Sequence, residues 1–307
     1  KLLGEIGSTG TNAFTTEDYT AYHNTFPSNQ MDRWLELYSH RFEKPVFRLF
    51  QSELETVYEE KNRGNDNAFN KLFETFLEKF YKKHPYGQQT VIGKTEHLKN
   101  PPLKKMYEYF NTYYVANNMA LILAGDFVPE EILPIIEKKF GDWRTGKIPI
   151  YPEYKEEPFS GREFIELKMT PVKMGVLGFR APKNGHKDRA AVDVCNHLLS
   201  NDRQTGLIDK LVIDGKFMGT YIFPLPYNDY GANILLFVPK IVGQKLETVE
   251  NMLREEIKKL QEGNFDGEIL NAVKLAIKND IQKGWETNNE RVMQLADCFA
   301  QNRSWGN

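Results

Sequence analysis

The stretch "VFRLFQSELETVYEEKNRG" carries acid on what would be the apolar side of a helix. At about 100° per residue, Val46, Leu49, Phe50, Glu53, Val57 and Glu60 fall into one stripe. Gln51, Glu55, Tyr58 and Glu59 point away from it, where water satisfies them. A carboxylate buried without a partner is costly or takes up a proton. Two readings follow for Glu53 and Glu60. Both are half-exposed acids beside a core, since Glu is a good helix former. Alternatively, Glu60 meets a cation, with Glu53 two turns away orienting the site. Borderline metals accept carboxylate oxygen, and nearby carboxylates fix their ligands. Helix geometry does not choose between the two.

Other chemistries find less support. None of the six histidines lies in His-x-x-x-His or His-x-x-Glu-His; in "HRFEK" Lys44 stands where a second His would be needed. "IGSTGTN" is Gly-rich, but no Lys-Ser/Thr follows it, and there is no dinucleotide fingerprint and no Gly-x-Ser-x-Gly elbow. Cys195 and Cys298 are too few for a disulfide framework or a zinc knuckle and are expected to be inert buried thiols. Forty basic residues oppose 42 acidic ones, with no basic block, so nucleic acid is not an expected partner. "MALILAG" and "ILLFV" are far too short to span a bilayer. "KLLGEIGSTGTNAF" has neither an initiator Met nor a signal sequence, and it reads as the interior of a domain.

The elements that would position these residues come next. With 307 residues, 40% hydrophobic and 13% aromatic, the chain is long and apolar enough for two ordinary domains. Strands are expected in "NAFTTEDYTAYHNTF", and a helix after Pro27-Ser28 with Met31, Trp34, Leu35 and Tyr38 at helical spacing. The acidic helix follows. Next comes "DNAFNKLFETFLEKFYKKH", with Lys82, Lys83 and His84 at the negative end of its dipole, and then "PPLKKMYEYFNTYY". "NMALILAGDF" is expected to be a buried strand, and Pro134 should delay or kink the helix in "PEEILPIIEKKF". Residues 146–160 form the expected linker between a first domain at 1–145 and a second at 161–307. In the second domain, strands are expected at "REFIELKM", "KMGVLGFRA", "FMGTYIFP" and "GANILLFVP". Its helices are expected at "KDRAAVDVCNHLLS" and "QTGLIDKLV", over roughly 244–262 and 266–283, and once more before "NRSWGN". A weak echo between "MALILAGDFVPEEILPIIEKKF" and "ANILLFVPKIVGQKLETVENMLREEIKKL" fits two similar domains. The expected class is α+β, each domain a mainly antiparallel sheet covered on one face by helices.

Read in order, "GSTGTNAFTTEDYTAYH", "ELETVYEEKN", "HPYGQQTVIGK", "YYVANNMALILAGDF" and "KKFGDW" resemble successive blocks of the insulinase/pitrilysin-like zinc metallopeptidases. Mitochondrial processing peptidase belongs to the same group. The resemblance covers nearly all of residues 4–145 and is looser around "LLSNDRQTGLIDKLVIDGKFMGTY". It implies a zinc cofactor, with Glu60 as metal ligand and Glu53, seven residues earlier, as supporting acid. It implies also that Asn12 and Ala13 lie on an edge strand that holds an extended peptide or unfolded protein substrate by strand addition. His84, Tyr86 and Trp143 are expected to be structural.

The family's inverted His-x-x-Glu-His helix, source of two ligands and the general base, is absent from this sequence. The first domain is therefore expected to be truncated at its N-terminus and the second to be incomplete at its C-terminus. The chain alone should be inactive and bind zinc weakly, whereas the intact protein should be a zinc endopeptidase. Two other functions compete with this one: a non-catalytic partner subunit, or an edge-strand peptide-binding module. A second half or partner subunit closing a clamshell is the expected assembly, in a periplasmic or extracellular setting.

Overall fold

A computed structural model of the chain describes residues 1–168 and 173–301. Two compact units emerge, Lys1–Met169 and Thr170–Asn307.

The first unit opens with α1 (Leu2–Glu5) and an antiparallel hairpin of β1 (Thr9–Thr15) and β2 (Thr20–Thr25). Seven helices follow: α2 (Met31–Glu43), α3 (Phe50–Asp66), α4 (Ala68–Phe80), α5 (Pro85–Gln88), α6 (Thr95–Lys99), α7 (Leu103–Tyr113) and α8 (Pro129–Phe140). Met31, Trp34, Leu35, Tyr38 and Phe42 repeat at helical spacing, so α2 turns one continuous face into the core. Phe110 of α7 and Ile132, Ile135, Ile136 and Phe140 of α8 complete it.

Three local expectations fail here. "NMALILAGDF" has no strand partner among the described residues; Met119, Leu123 and Phe127 instead lay an apolar edge on the α2–α8 core. A short apolar run cannot announce its neighbour, and a strand exists only as half of a pair. Of the two effects expected from Pro134, the late start does not occur: α8 starts at Pro129, where a missing N–H is free of cost, and Pro134 lies inside it. Residues 162–168 of "REFIELKM" likewise form no strand, and Met169 lies outside the described residues.

The segment expected as a linker has no helix or strand and is pinned along this unit. Asn117 brackets Gly146 with two hydrogen bonds, of 2.8 and 2.9 Å. Lys82, Lys83 and His84 follow the end of α4. Their backbone N–H groups donate to the Glu156 carboxylate at 3.1, 2.7 and 2.7 Å. The lysine side chains reach Glu163 and Glu157. Glu156→Ala leaves these donors unmatched, with His84 buried. An expected loss of about 2 kcal/mol follows, measurable as a lower melting temperature and faster proteolysis within 146–168.

The second unit is built on β3 (Gly175–Ala181), β4 (Gly219–Pro226) and β5 (Gly231–Val238), antiparallel in the order β3-β5-β4. Its helices are α9 (Arg189–Leu199), α10 (Leu207–Ile213), α11 (Leu246–Gln261), α12 (Gly267–Lys283) and α13 (Asn288–Ala300). Alternation puts Leu235 and Phe237 of β5 on one face with Leu177 and Ile222, against Leu199, Ile208, Val249 and Leu253 of the helices. On the same face Asn196 of α9 and Asn233 of β5 exchange hydrogen bonds of 2.9 and 2.6 Å, which satisfies both amides. The α+β class, with antiparallel sheets and helices packed on one face, is as expected.

Candidate functional site

Among the sequence-predicted residues, Glu53 and Glu60 belong to α3. The helix begins at Phe50, behind Leu49 in the left-handed region at φ 55. Its sheltered stripe is Phe50, Leu54, Val57, Tyr58 and Lys61. Val46 and Leu49 are outside the helix, and Leu49 is 75% exposed. Their inclusion in the expected stripe had swung its centre toward the acids. With the true start, Glu53 and Glu60 sit roughly 90° off the sheltered line at 100° per residue. Both are exposed, and no side-chain hydrogen bond or ion pair engages either among the described residues. The expected inward-facing pair of acids is therefore corrected to an outward flank. The buried charge on α3 is Lys61, paired with Glu74 of α4 at 3.0 Å. A lysine ending an apolar stripe was the signal for that pair.

Zinc is the metal implied by the resemblance. Among the described residues no group of three or more His, Cys, Asp or Glu side chains is placed to hold a metal ion. One exposed carboxylate cannot bind zinc tightly without imidazole or thiolate partners. The described residues do not by themselves form a complete zinc site.

Asn12 and Ala13 adjoin on β1, both exposed, opposite His23 and Tyr22. Only β2 pairs with β1, so the outer edge of β1 carries no strand among the described residues. The pairing slips between Thr9 and Asn12. The Ala13 N–H donates to the Asn12 side-chain oxygen at 2.9 Å. That local bond occupies the donor with a group that an incoming carbonyl can displace. No hydrogen bond or ion pair joins Asn12 or Ala13 to Glu53 or Glu60 among the described residues.

Sequence inspection missed the residues that fix this edge. Asn24 of β2 accepts from the Trp34 indole and the Tyr38 hydroxyl, both at 3.0 Å, and its amide donates to Ser8. Tyr22 shares a 2.7 Å hydroxyl contact with Tyr114, and its ring sits edge-on to Phe42. Burial raises the Tyr38 phenol, and burial with the Tyr22 hydroxyl raises that of Tyr114, so both stay neutral and hydrogen-bonding. Tyr86 of α5 donates to Asp18 in the hairpin turn at 2.7 Å, while His84 caps α5 from a buried position. Trp143 donates to Ser39. His84, Tyr86 and Trp143 are thus bound into the structure. An Asn flanked by aromatics in "YHNTF" is the one clue the sequence offered.

Residues 1–93 match the family model "Insulinase (Peptidase family M16)", and residues 102–277 match "Peptidase M16 inactive domain". The zinc protease PqqE of Helicobacter pylori is 25% identical over 314 residues, covering 98% of this chain and 69% of its own length. An uncharacterized zinc protease, YmfH of Bacillus subtilis, is 30% identical over 171 residues, 54% of this chain and 38% of that protein. In solved structures, a protease from Helicobacter pylori superimposes with TM-score 0.86 at 22% identity, over 98% of this chain and 74% of its own. The periplasmic protease PqqL from Escherichia coli gives 0.78 at 17% identity; this chain spans 98% of itself but 35% of that protein. The ordered blocks, the two-unit α+β architecture and the two family matches make this chain a member of peptidase family M16, the insulinase family of zinc proteases.

Proposed function

We propose that this chain is the part of a zinc endopeptidase that grips an extended peptide along β1 and offers Glu60 to a metal centre completed by residues outside this sequence. The observation that carries the reading is the outer edge of β1, anchored through Tyr22 and Asn24 of β2 and paired with no further strand among the described residues. An added strand would find backbone donors and acceptors there whatever its side chains, which suits a peptidase of broad sequence tolerance. Displacing the Asn12 oxygen from the Ala13 N–H exchanges one hydrogen bond for another, at little net cost. The sequence contains no His-x-x-Glu-His, hence no general base of that type to activate water, and the isolated chain is read as inactive. Glu53, seven residues earlier on the same flank of α3, is assigned the supporting role.

A second reading, a non-catalytic partner subunit, draws on the match of residues 102–277 to a domain described as inactive. Either role fits a clamshell closed by a second half or partner around a peptide or unfolded protein. The periplasmic neighbour favours a periplasmic setting.

The test is fluorescence anisotropy of labelled extended peptides with this chain, with and without zinc. Ala13→Pro removes the outward donor without touching the core. It is expected to weaken binding about tenfold, the worth of one to two hydrogen bonds, with no cleavage under either condition. Unchanged affinity in Ala13→Pro removes the strand-addition reading; cleavage by the chain alone removes the inactive-fragment reading.

A further inference from the structure

In the second unit two loops meet beside one end of the sheet, the α10–β4 loop (214–218) and the β5–α11 loop (239–245). The Gln244 side chain donates to the Lys216 carbonyl at 2.8 Å, and its oxygen accepts from the Lys240 N–H at 2.7 Å. The Met218 N–H donates to Val238 at 2.9 Å. Each loop also has a buried anchor, Phe217 in one and Pro239 in the other. The side chains beyond these anchors are held outward by fixed backbone.

Those outward side chains are apolar. Ile241 is 74% exposed and Val242 87%, at the tip of a turn closed by Gly243 at φ 76. Ile213 and Met218 add 62% and 53% exposure at the neighbouring loop. Single exposed aliphatics are ordinary, but three on two stitched loops, with Ile213 ending the helix that leads into one of them, present apolar surface that water disfavours. The charge around it has one sign in excess. These loops carry the exposed lysines 216, 240 and 245 against Asp214, three positive charges less one negative, net +2, in a chain whose total is −2.

We propose that this patch docks the protein on an anionic lipid surface, with Ile241 and Val242 entering the headgroup boundary and Lys216, Lys240 and Lys245 facing lipid phosphates. Aliphatic side chains on a tight turn, rimmed by lysines, meet both requirements of peripheral binding, apolar insertion and attraction to negative headgroups. A neutral protein groove would satisfy the aliphatics and leave the lysines without counter-charge, so the charge favours the bilayer.

The experiment is co-sedimentation of the 307-residue chain with phosphatidylcholine vesicles, with and without phosphatidylglycerol. Binding is expected to be at least about tenfold stronger with the anionic lipid and to fall as salt is raised. Ile241→Ser with Val242→Ser is expected to reduce it about tenfold, as is Lys216→Glu with Lys240→Glu, with circular dichroism and melting temperature unchanged. No binding, equal binding to both vesicles, or full binding by the Ser double variant overturns the proposal. So does a dimer, seen by light scattering, that dissociates in the Ser double variant while vesicle binding persists.

Discussion

Glu60→Gln is expected to cost an assembled enzyme more than about a hundredfold in peptide hydrolysis while leaving the fold of the isolated chain untouched. Glu60 is exposed and its side chain has no hydrogen bond or ion pair among the described residues, so its replacement should change stability by less than about 0.5 kcal/mol. In the proposed centre, which would add two imidazoles, the amide would remove a negative charge and an oxygen ligand from a cation with only three protein donors. Altering groups that merely support ligands costs about 10–100-fold in metal affinity or activity, and loss of a direct ligand should exceed that. Glu53→Gln supplies the comparison and should fall within the smaller range. Zinc titration against a chromogenic chelator and hydrolysis of a quenched peptide, each with the assembled protein, separate the two positions. Full zinc content and activity in Glu60→Gln would remove this glutamate from the metal centre.

Helix periodicity was the most legible layer of the sequence. Met31, Trp34, Leu35 and Tyr38 announced α2 because burial on one face demands that spacing, and Phe42 extends the same face in the structure. The strands β4 and β5 were equally plain, as short apolar and aromatic runs bounded by Gly and Pro. Segments whose state depends on a distant partner were misjudged. Residues 119–125 are apolar enough for a strand, yet a strand needs a neighbour that local sequence does not name. The phase of α3 was misjudged for a different reason. Leu49 adopts φ 55 and starts the helix late, so two outlying aliphatics distorted the wheel by which Glu53 and Glu60 looked buried. The Glu156 carboxylate and the amides it accepts from are separated by more than 70 residues, and no periodicity encodes such a contact. The candidate site was legible as family blocks, because local motifs alone specified no metal.

Gly206→Ala is expected to destabilise the second unit by about 3 kcal/mol, for want of room and not of backbone freedom. Its φ of −71 suits any residue. A Cβ there would lie 2.3 Å from the Leu199 carbonyl oxygen and 2.7 Å from the Ser200 nitrogen, both backbone atoms that cannot swing aside. To relieve the clash, α10 must move from the end of α9. The buried Asp209 carboxylate opposes this, accepting from the Ser200 hydroxyl at 2.7 Å and from the Asn201 and Gly206 N–H groups at 2.9 Å each. Ile208, fully buried, is two residues beyond Gly206, so the shift also opens the core between α10 and the sheet. Overpacking against backbone costs about 1–3 kcal/mol, and breaking a buried network adds to it. The expected fall in melting temperature is roughly 10 °C for a unit of this size. Gly267→Ala is the control: it stands at the first position of α12 with nothing within 4 Å, and alanine there should be neutral or stabilising by up to about 1 kcal/mol. Because α10 leads directly into the loop bearing Lys216 and Met218, Gly206→Ala should weaken vesicle binding as well, whereas Gly267→Ala should not. A Gly206→Ala protein melting within about 2 °C of the parent, less than 1 kcal/mol on the same scale, would mean that α9 and α10 are not locked together at this junction.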